Sequence, residues 1–271
     1  MKSALLCLLD ECRALWRLRA LLAVMVRREL AARVAGSAGG LLWVWLPPLA
    51  TVAVYFLVFD VVFRMRLGAE APAQRVGAFL TVGMLAWMAF ADALARAMNS
   101  LLDAGAMLQK NPLPPGLFVA RSTLAASAVF APLLLALVPL YASSHHWGAG
   151  LLATPLLLAG QVLLALLLGY VLAVLTAALR DVAQVANLLL QLGVFLSPIL
   201  FPLALFPARW RPLLWLNPMT APVLGWQAAL LQGAWPAWQQ VWLPLAAWLL
   251  LAGAALAVVL QRSREHLADW L

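Results

Sequence analysis

From Ser122 to Ala208 the chain carries only two charged side chains, Arg180 and Asp181, and they are neighbours. No water-soluble fold can dress its surface from a stretch so poor in charge. The rest of the chain follows suit. An average soluble domain is about 25 % charged and about 45–50 % apolar, whereas these 271 residues are 10 % charged and 66 % hydrophobic. That excludes an ordinary cytosolic enzyme, a soluble nucleic-acid-binding domain and a disordered chain, and leaves an integral membrane protein. The formal charge of +8 would suggest nucleic acid in a soluble protein. In a membrane protein basic residues chiefly set orientation, so no nucleic-acid partner is expected.

A helix needs about 20 mainly apolar residues to cross about 30 Å of hydrocarbon. Six stretches qualify: 41–63, 76–98, 117–141, 150–179, 182–201 and 236–260. They are continuous apolar runs without the period-two alternation of an outer-membrane strand. The expected fold class is therefore all-α, a polytopic membrane protein with six transmembrane helices in one domain over 1–271. With the N-terminus inside, thirteen Lys and Arg fall in inner segments (seven through Arg33, then Arg96, Lys110, Arg121, Arg180, Arg262 and Arg264). Five fall outside: Arg64, Arg66, Arg75, Arg209 and Arg211. This asymmetry predicts both termini in the cytoplasm. Leu5–Leu9 is too short for a signal sequence and runs into Asp10 and Glu11. Cys7 and Cys12, the two cysteines, then sit in a reducing compartment where no disulfide is expected.

Two segments differ from the spans. Over 13–33, Arg13, Arg17, Arg27 and Arg28 share one arc of a helical wheel, and Leu15, Leu18, Leu22, Met25 and Val26 share the opposite one. This predicts an amphipathic helix in the cytoplasmic interface; Arg19, Glu29 and Arg33 break its pattern. The stretch 202–235 is apolar yet interrupted by Pro207, Pro212, Pro218 and Pro222 and studded with Trp210, Trp215, Trp226 and Trp235. It reads as short re-entrant or interfacial helices on the outer side, because non-helical backbone at membrane depth must be buried in protein or line a water-filled cavity.

Catalytic groupings are scarce. His145 and His146 are adjacent, with no carboxylate near in sequence, and make a poor metal site. His266 lies in the C-terminal tail. There is no Gly-x-Ser-x-Gly elbow. A phosphate-cradling loop needs Gly-x-x-x-x-Gly-Lys-Ser/Thr, and neither of the two lysines, Lys2 and Lys110, sits in one. No catalytic residue, metal or bound cofactor is expected, and this chain does not hydrolyse ATP by the P-loop route. Asp60 lies near the outer end of the first span. Asp92 and Arg96, spaced i, i+4, can pair on one helix face, which explains them better than a proton relay does.

The run Arg28-Glu29-Leu30-Ala31-Ala32-Arg33-Val34-Ala35-Gly36-Ser37-Ala38-Gly39-Gly40-Leu41-Leu42-Trp43 resembles the lead-in to the first span of ABC-2-type permeases, in particular those exporting O-antigen, capsule and teichoic acid polymers. Gly83, Trp87 and Phe90, then Asn99-Ser100-Leu101, Leu108-Gln109-Lys110, Arg180-Asp181-Val182, Phe195-Leu196-Ser197-Pro198-Ile199 and Leu216-Asn217-Pro218-Met219-Thr220 follow in the family's order over 28–233. Pro47-Pro48 departs from the family's Asn-Pro, and Asn111-Pro112 from its aromatic-Pro pair.

The resemblance implies a half-transporter: two copies of this chain form the channel, and a separate ABC ATPase holds ATP and Mg. It implies an interface helix with Arg28 and Arg33, and coupling loops with Asp103, Lys110, Arg180 and Asp181 facing the ATPase. It also implies outer gate helices with Trp210, Trp215, Asn217 and Pro218. The substrate it implies is a lipid-linked polysaccharide crossing a bacterial inner membrane. Sugar polymers have apolar faces on which aromatic rings stack, and Trp43, Trp45, Tyr55, Trp87 and Phe90 are the candidates for such a pathway. A drug or lipid exporter of the same family, an envelope-synthesis enzyme and a membrane scaffold stand as alternatives.

Overall fold

The computed structural model describes residues 2–40, 42–64, 66, 75–111, 113–140, 148–263 and 267–270, without the side chains of 2–5, 138–140 and 268–269. His145, His146, Arg264 and His266 lie outside the described residues. The chain opens with α1 (Lys2–Arg17) and α2 (Arg19–Val34). α3 (Leu42–Tyr55) runs on through π-helical turns to Val62. Then come α4 (Val76–Asp103), the short α5 (Gly105–Lys110) and α6 (Pro115–Leu140). A 3₁₀ turn (Ala149–Ala153) leads into α7 (Thr154–Ala178), which is followed by α8 (Asp181–Gly193) and the one-turn α9 (Arg211–Leu214). α10 (Thr220–Gln227) is extended by π-helical turns to Gln232. α11 (Leu243–Ser263) is preceded by π-helical turns from Trp238, and α12 (Leu267–Trp270) ends the chain.

Among the described residues, five helical stretches are long and apolar enough to cross a membrane: Leu42–Val62, Val76–Asp103, Pro115–Leu137, Ala149–Ala178 and Trp238–Ser263. They answer to five of the six expected spans. The remaining one, 182–201, is helical only over the 13 residues Asp181–Gly193, about 20 Å at 1.5 Å per residue. Beyond Gly193 the chain turns: the Phe195 N–H bonds to Leu192 O at 3.0 Å and the Ile199 N–H to Ser197 O at 2.8 Å. Pro198, with no N–H to give, cannot carry a helical ladder through this stretch.

α4 is the hub. It packs against α6, α7 and α10, and 72 % of its most apolar window is buried, against 11 % for the α3 span. Phe79, Leu85, Phe90, Met98 and Leu101 are fully buried on it. α7 crosses closely because Gly169 has no side chain: a Cβ there would collide with the Cβ of Ala97. Gln161 Nε2 of the same helix donates to Ala86 O of α4 at 2.9 Å. Since 86 faces 161 and 97 faces 169, α4 and α7 run parallel. Their C-terminal ends, with the 104–114 loop and the Arg180–Asp181 turn, therefore share one end of the bundle. The terminal helices gather there too, for Cys7, Glu11, Pro115, Leu260, Ser263 and Leu267 line one cavity of about 340 Å³. At the opposite end the Gly150 N–H bonds to Gly233 O at 3.0 Å, and Asp60 meets the start of α4.

The single helix expected over 13–33 is two helices that begin at Lys2 and break at Leu18, whose φ and ψ of −93° and 13° leave the helical region. The wheel's apolar arc survives the break. Leu15, Leu18, Leu22 and Met25 pack together, with Leu8, on a core cluster that includes Leu101, Phe118, Tyr170 and Leu256. The arc thus faces protein, while Arg28 stays exposed.

Candidate functional site

The arrangement with the clearest capacity to handle a substrate is a groove of about 400 Å³ between α4, α7, α8 and the segment before α10. Trp87 and Phe90 of α4 form its aromatic wall, their ring centroids 6.1 Å apart and their planes at 54°. Leu168 and Leu172 come from α7, Leu189 and Gly193 from α8, and Leu216, Asn217 and Pro218 from beyond α9. No lining side chain is charged. Gly193 matters by its size, since a Cβ there would strike the Trp87 ring.

Asn217 closes one side of this groove. Its Nδ2 donates to Gly193 O at 2.9 Å and to Leu196 O at 3.2 Å, and its Oδ1 accepts the Met219 N–H at 3.0 Å. The last carbonyls of a helix lack an intrahelical partner, and here a side chain from 24 residues further along supplies one. The chain therefore dips from the turns after Pro202 down to the level of Trp87 at Asn217. It climbs back through α10 to Gly233 at the far end. Only part of this excursion is buried: Leu214 and the residues from Met219 through Val223 are enclosed by protein, while Leu213 and Leu216 remain exposed. Trp226 is fully buried and donates from Nε1 to Gln161 Oε1 at 2.9 Å, and Gln227 Nε2 donates to Pro198 O at 2.8 Å. Residues 202–235 thus fold back along the bundle and are anchored to α4 and α7. Trp226 is one of these anchors, while Trp210 is 55 % exposed. The half-buried Trp215 accepts at its carbonyl from Trp248 Nε1, 3.3 Å away.

Of the residues singled out from sequence, the groove unites Trp87, Phe90, Asn217 and Pro218. Trp43, Trp45 and Tyr55 stand apart on α3. Trp43 is 60 % exposed, Trp45 donates from Nε1 to Val129 O of α6 at 3.0 Å, and Tyr55 stacks on Phe59. Asp103, Lys110, Arg180 and Asp181 are all exposed and share the end of the bundle to which α4 and α7 run.

Sequence reasoning missed a charged cluster where α2, α4 and α6 meet. Arg121 of α6 reaches Glu29 Oε2 of α2 at 2.7 Å, and Ser122 Oγ donates to the same oxygen at 3.4 Å. Arg33 bonds to Glu29 Oε1 at 3.4 Å and stands 4.0 Å from Asp92 of α4. Arg96 Nε lies 2.9 Å from both oxygens of Asp92, the pair expected from the i, i+4 spacing. Burial first, then the charge of Arg96, lowers the Arg33 pKa; Asp92 and Glu29 oppose the shift. The signal for this cluster was present, since Glu29 and Arg33 are the residues that broke the amphipathic pattern. Asp60 also finds a place: its Oδ1 accepts the Gly77 N–H at 2.7 Å, capping the first turn of α4, where a carboxylate meets the positive end of the helix dipole. Among the described residues no group of three His, Cys, Asp or Glu side chains is placed to hold a metal ion.

Comparison with known proteins bears on this geometry. A family model for ABC-2 type transporters matches residues 20–231. The chain is 32 % identical over 222 residues to the O-antigen export system permease protein RfbA of Myxococcus xanthus, covering 80 % of this chain and 82 % of the relative. It is 22 % identical over 218 residues to the protein of the same name from Klebsiella pneumoniae, covering 79 % of this chain and 81 % of that one.

Proposed function

Because this chain belongs to the ABC-2 type transporter family, we propose that it is the transmembrane permease subunit of an ATP-driven ABC exporter for a lipid-linked, O-antigen-like polysaccharide. The observation that carries the substrate class is the 32 % identity, over 80 % of the chain, to an O-antigen export permease. The groove supports it. Conduction needs contacts strong enough to admit a substrate and weak enough to release it. Two aromatic faces and no charge in the lining give stacking without a deep electrostatic trap.

The rest of the assembly follows from the same reading. ATP and Mg sit on a separate ABC ATPase chain, which meets the exposed Asp103, Lys110, Arg180 and Asp181. A second copy of this chain completes the channel against α3 and α8, whose outer faces expose Trp43, Leu46, Val185 and Leu188. α8 with the turns after it serves as the sixth crossing. Both termini lie in the cytoplasm of a bacterium, with the chain in its inner membrane, and the excursion 202–235 is the outer gate. On ATP binding the partner presses on α5, and α4, which ends where α5 begins, carries Trp87 and Phe90 relative to Asn217.

The uncharged, largely apolar lining also suits a drug or lipid, and one experiment separates the readings. Trp87→Ala is expected to cut surface polysaccharide severalfold while leaving copurification with the ATPase intact. Unchanged polysaccharide, with lost resistance to an apolar drug, supports the alternative.

A further inference from the structure

We propose that Glu29 is a positioning residue that clamps α2 to α4 and α6, so that force on the N-terminal helices reaches the groove through α4. The inference rests on the exporter reading above and adds to it a route for the force. Glu29 sits on α2 with its side chain 19 % exposed, and its two carboxylate oxygens serve three side chains: Oε2 takes Arg121 and Ser122 of α6, and Oε1 takes Arg33 of its own helix. Arg33, with a side chain only 10 % exposed, continues to Asp92 of α4, and Asp92 holds Arg96. The carboxylate thus ties α2 to α6 directly, and Arg33, 4.0 Å from Asp92, extends the chain of charges to α4.

Stability alone accounts poorly for such a cluster. Taking ions out of water costs about as much as their attraction returns, so apolar side chains of like volume serve equally well as packing. What ion pairs add is direction. Leu30 and Val34, which flank this cluster on α2, line an apolar cleft with Trp45 and Val129, a contact that would tolerate rotation or sliding of α2. The Glu29–Arg121 ion pair, with its 2.7 Å approach, restrains such movement. Asp92 lies five residues from Trp87, about 7.5 Å along the helix axis, and two from Phe90. A displacement of α2 passed through Arg33 therefore meets α4 at the level of its aromatic wall, on the opposite face of the helix.

The test uses the full chain with its ATPase partner in the native host, reading the host's own surface polysaccharide against ATP hydrolysed by the complex purified from the same strain. Glu29→Gln keeps size and loses charge. It is expected to assemble and hydrolyse ATP, yet to deliver about five- to tenfold less polymer per ATP, the lower range of coupling between distant sites. Glu29→Asp should recover most of the loss, and the exchange Glu29→Arg with Arg121→Glu should recover part of it. Should Glu29→Gln not assemble, Arg33→Lys carries the same test. It keeps the charge but not the fork that reaches both Glu29 and Asp92, and the same drop is expected. Wild-type polymer per ATP in these variants overturns the clamp. So does a loss in Glu29→Asp and in the exchange as deep as in Glu29→Gln. A wild-type complex whose ATP hydrolysis leaves surface polysaccharide untouched overturns the exporter reading, and the clamp with it.

Discussion

Asn217 shows how much can depend on one amide. It ties the dip of the 202–235 segment to the end of α8, holding two carbonyls that have lost their helical partners. Asn217→Asp keeps the shape and removes the donor. A buried acceptor left without a partner costs about 1–3 kcal/mol, so a lower unfolding temperature in detergent is expected, with earlier proteolysis between α8 and α10. An unchanged melting curve would show that these bonds hold nothing. Asp60 offers a parallel case at the start of α4. Asp60→Ala should cost about 0.5–2 kcal/mol, as lost caps do, and Asp60→Asn, which still accepts the Gly77 N–H, should cost less. Thermal unfolding of the pair checks the order. These residues mark the limit of sequence reasoning. The Asp92–Arg96 pair was legible because helical spacing alone brings the two together. The partners of Asn217 lie 21 and 24 residues away and that of Glu29 93 away, separations that only the tertiary fold closes.

At the level of elements, the long apolar runs were legible because length and continuity suffice to define them. What escaped was the way helices end. The run 182–201 is uncharged and mainly apolar, but a hydropathy pattern does not register that the ladder stops at Gly193, where Asn217 takes over the carbonyl. The 13–33 pattern gave the apolar arc but not its neighbour, since a wheel states which side is apolar and not whether lipid or protein lies against it. α5, six residues joined to the end of α4, is the element through which the ATPase is proposed to act. Asp103→Ala combined with Lys110→Ala should weaken copurification of the ATPase and reduce export without loss of membrane insertion. Undiminished copurification and export would remove α5 from the interface. Gly169→Leu should separate α7 from α4 and lower the unfolding temperature, because the backbone approach at Ala97 leaves no room for a side chain.

The whole molecule is organised along one axis. Its terminal helices, the α5 loop and the Arg180–Asp181 turn gather at one end, and the Gly150–Gly233 contact marks the other. In a variant free of Cys7 and Cys12, single cysteines at 110 and 235 should react with an impermeant reagent from opposite sides of the membrane, and labelling from one side would overturn the six-span arrangement. The central claim, that the molecule exports a polysaccharide made on the cytoplasmic face, is tested most directly by deleting the gene in its host. Surface polysaccharide and lipid-linked polymer inside the cell are then measured together. Loss at the surface with accumulation inside is the expected result, because synthesis continues while export stops. A surface left intact, with no polymer accumulating inside, would contradict it.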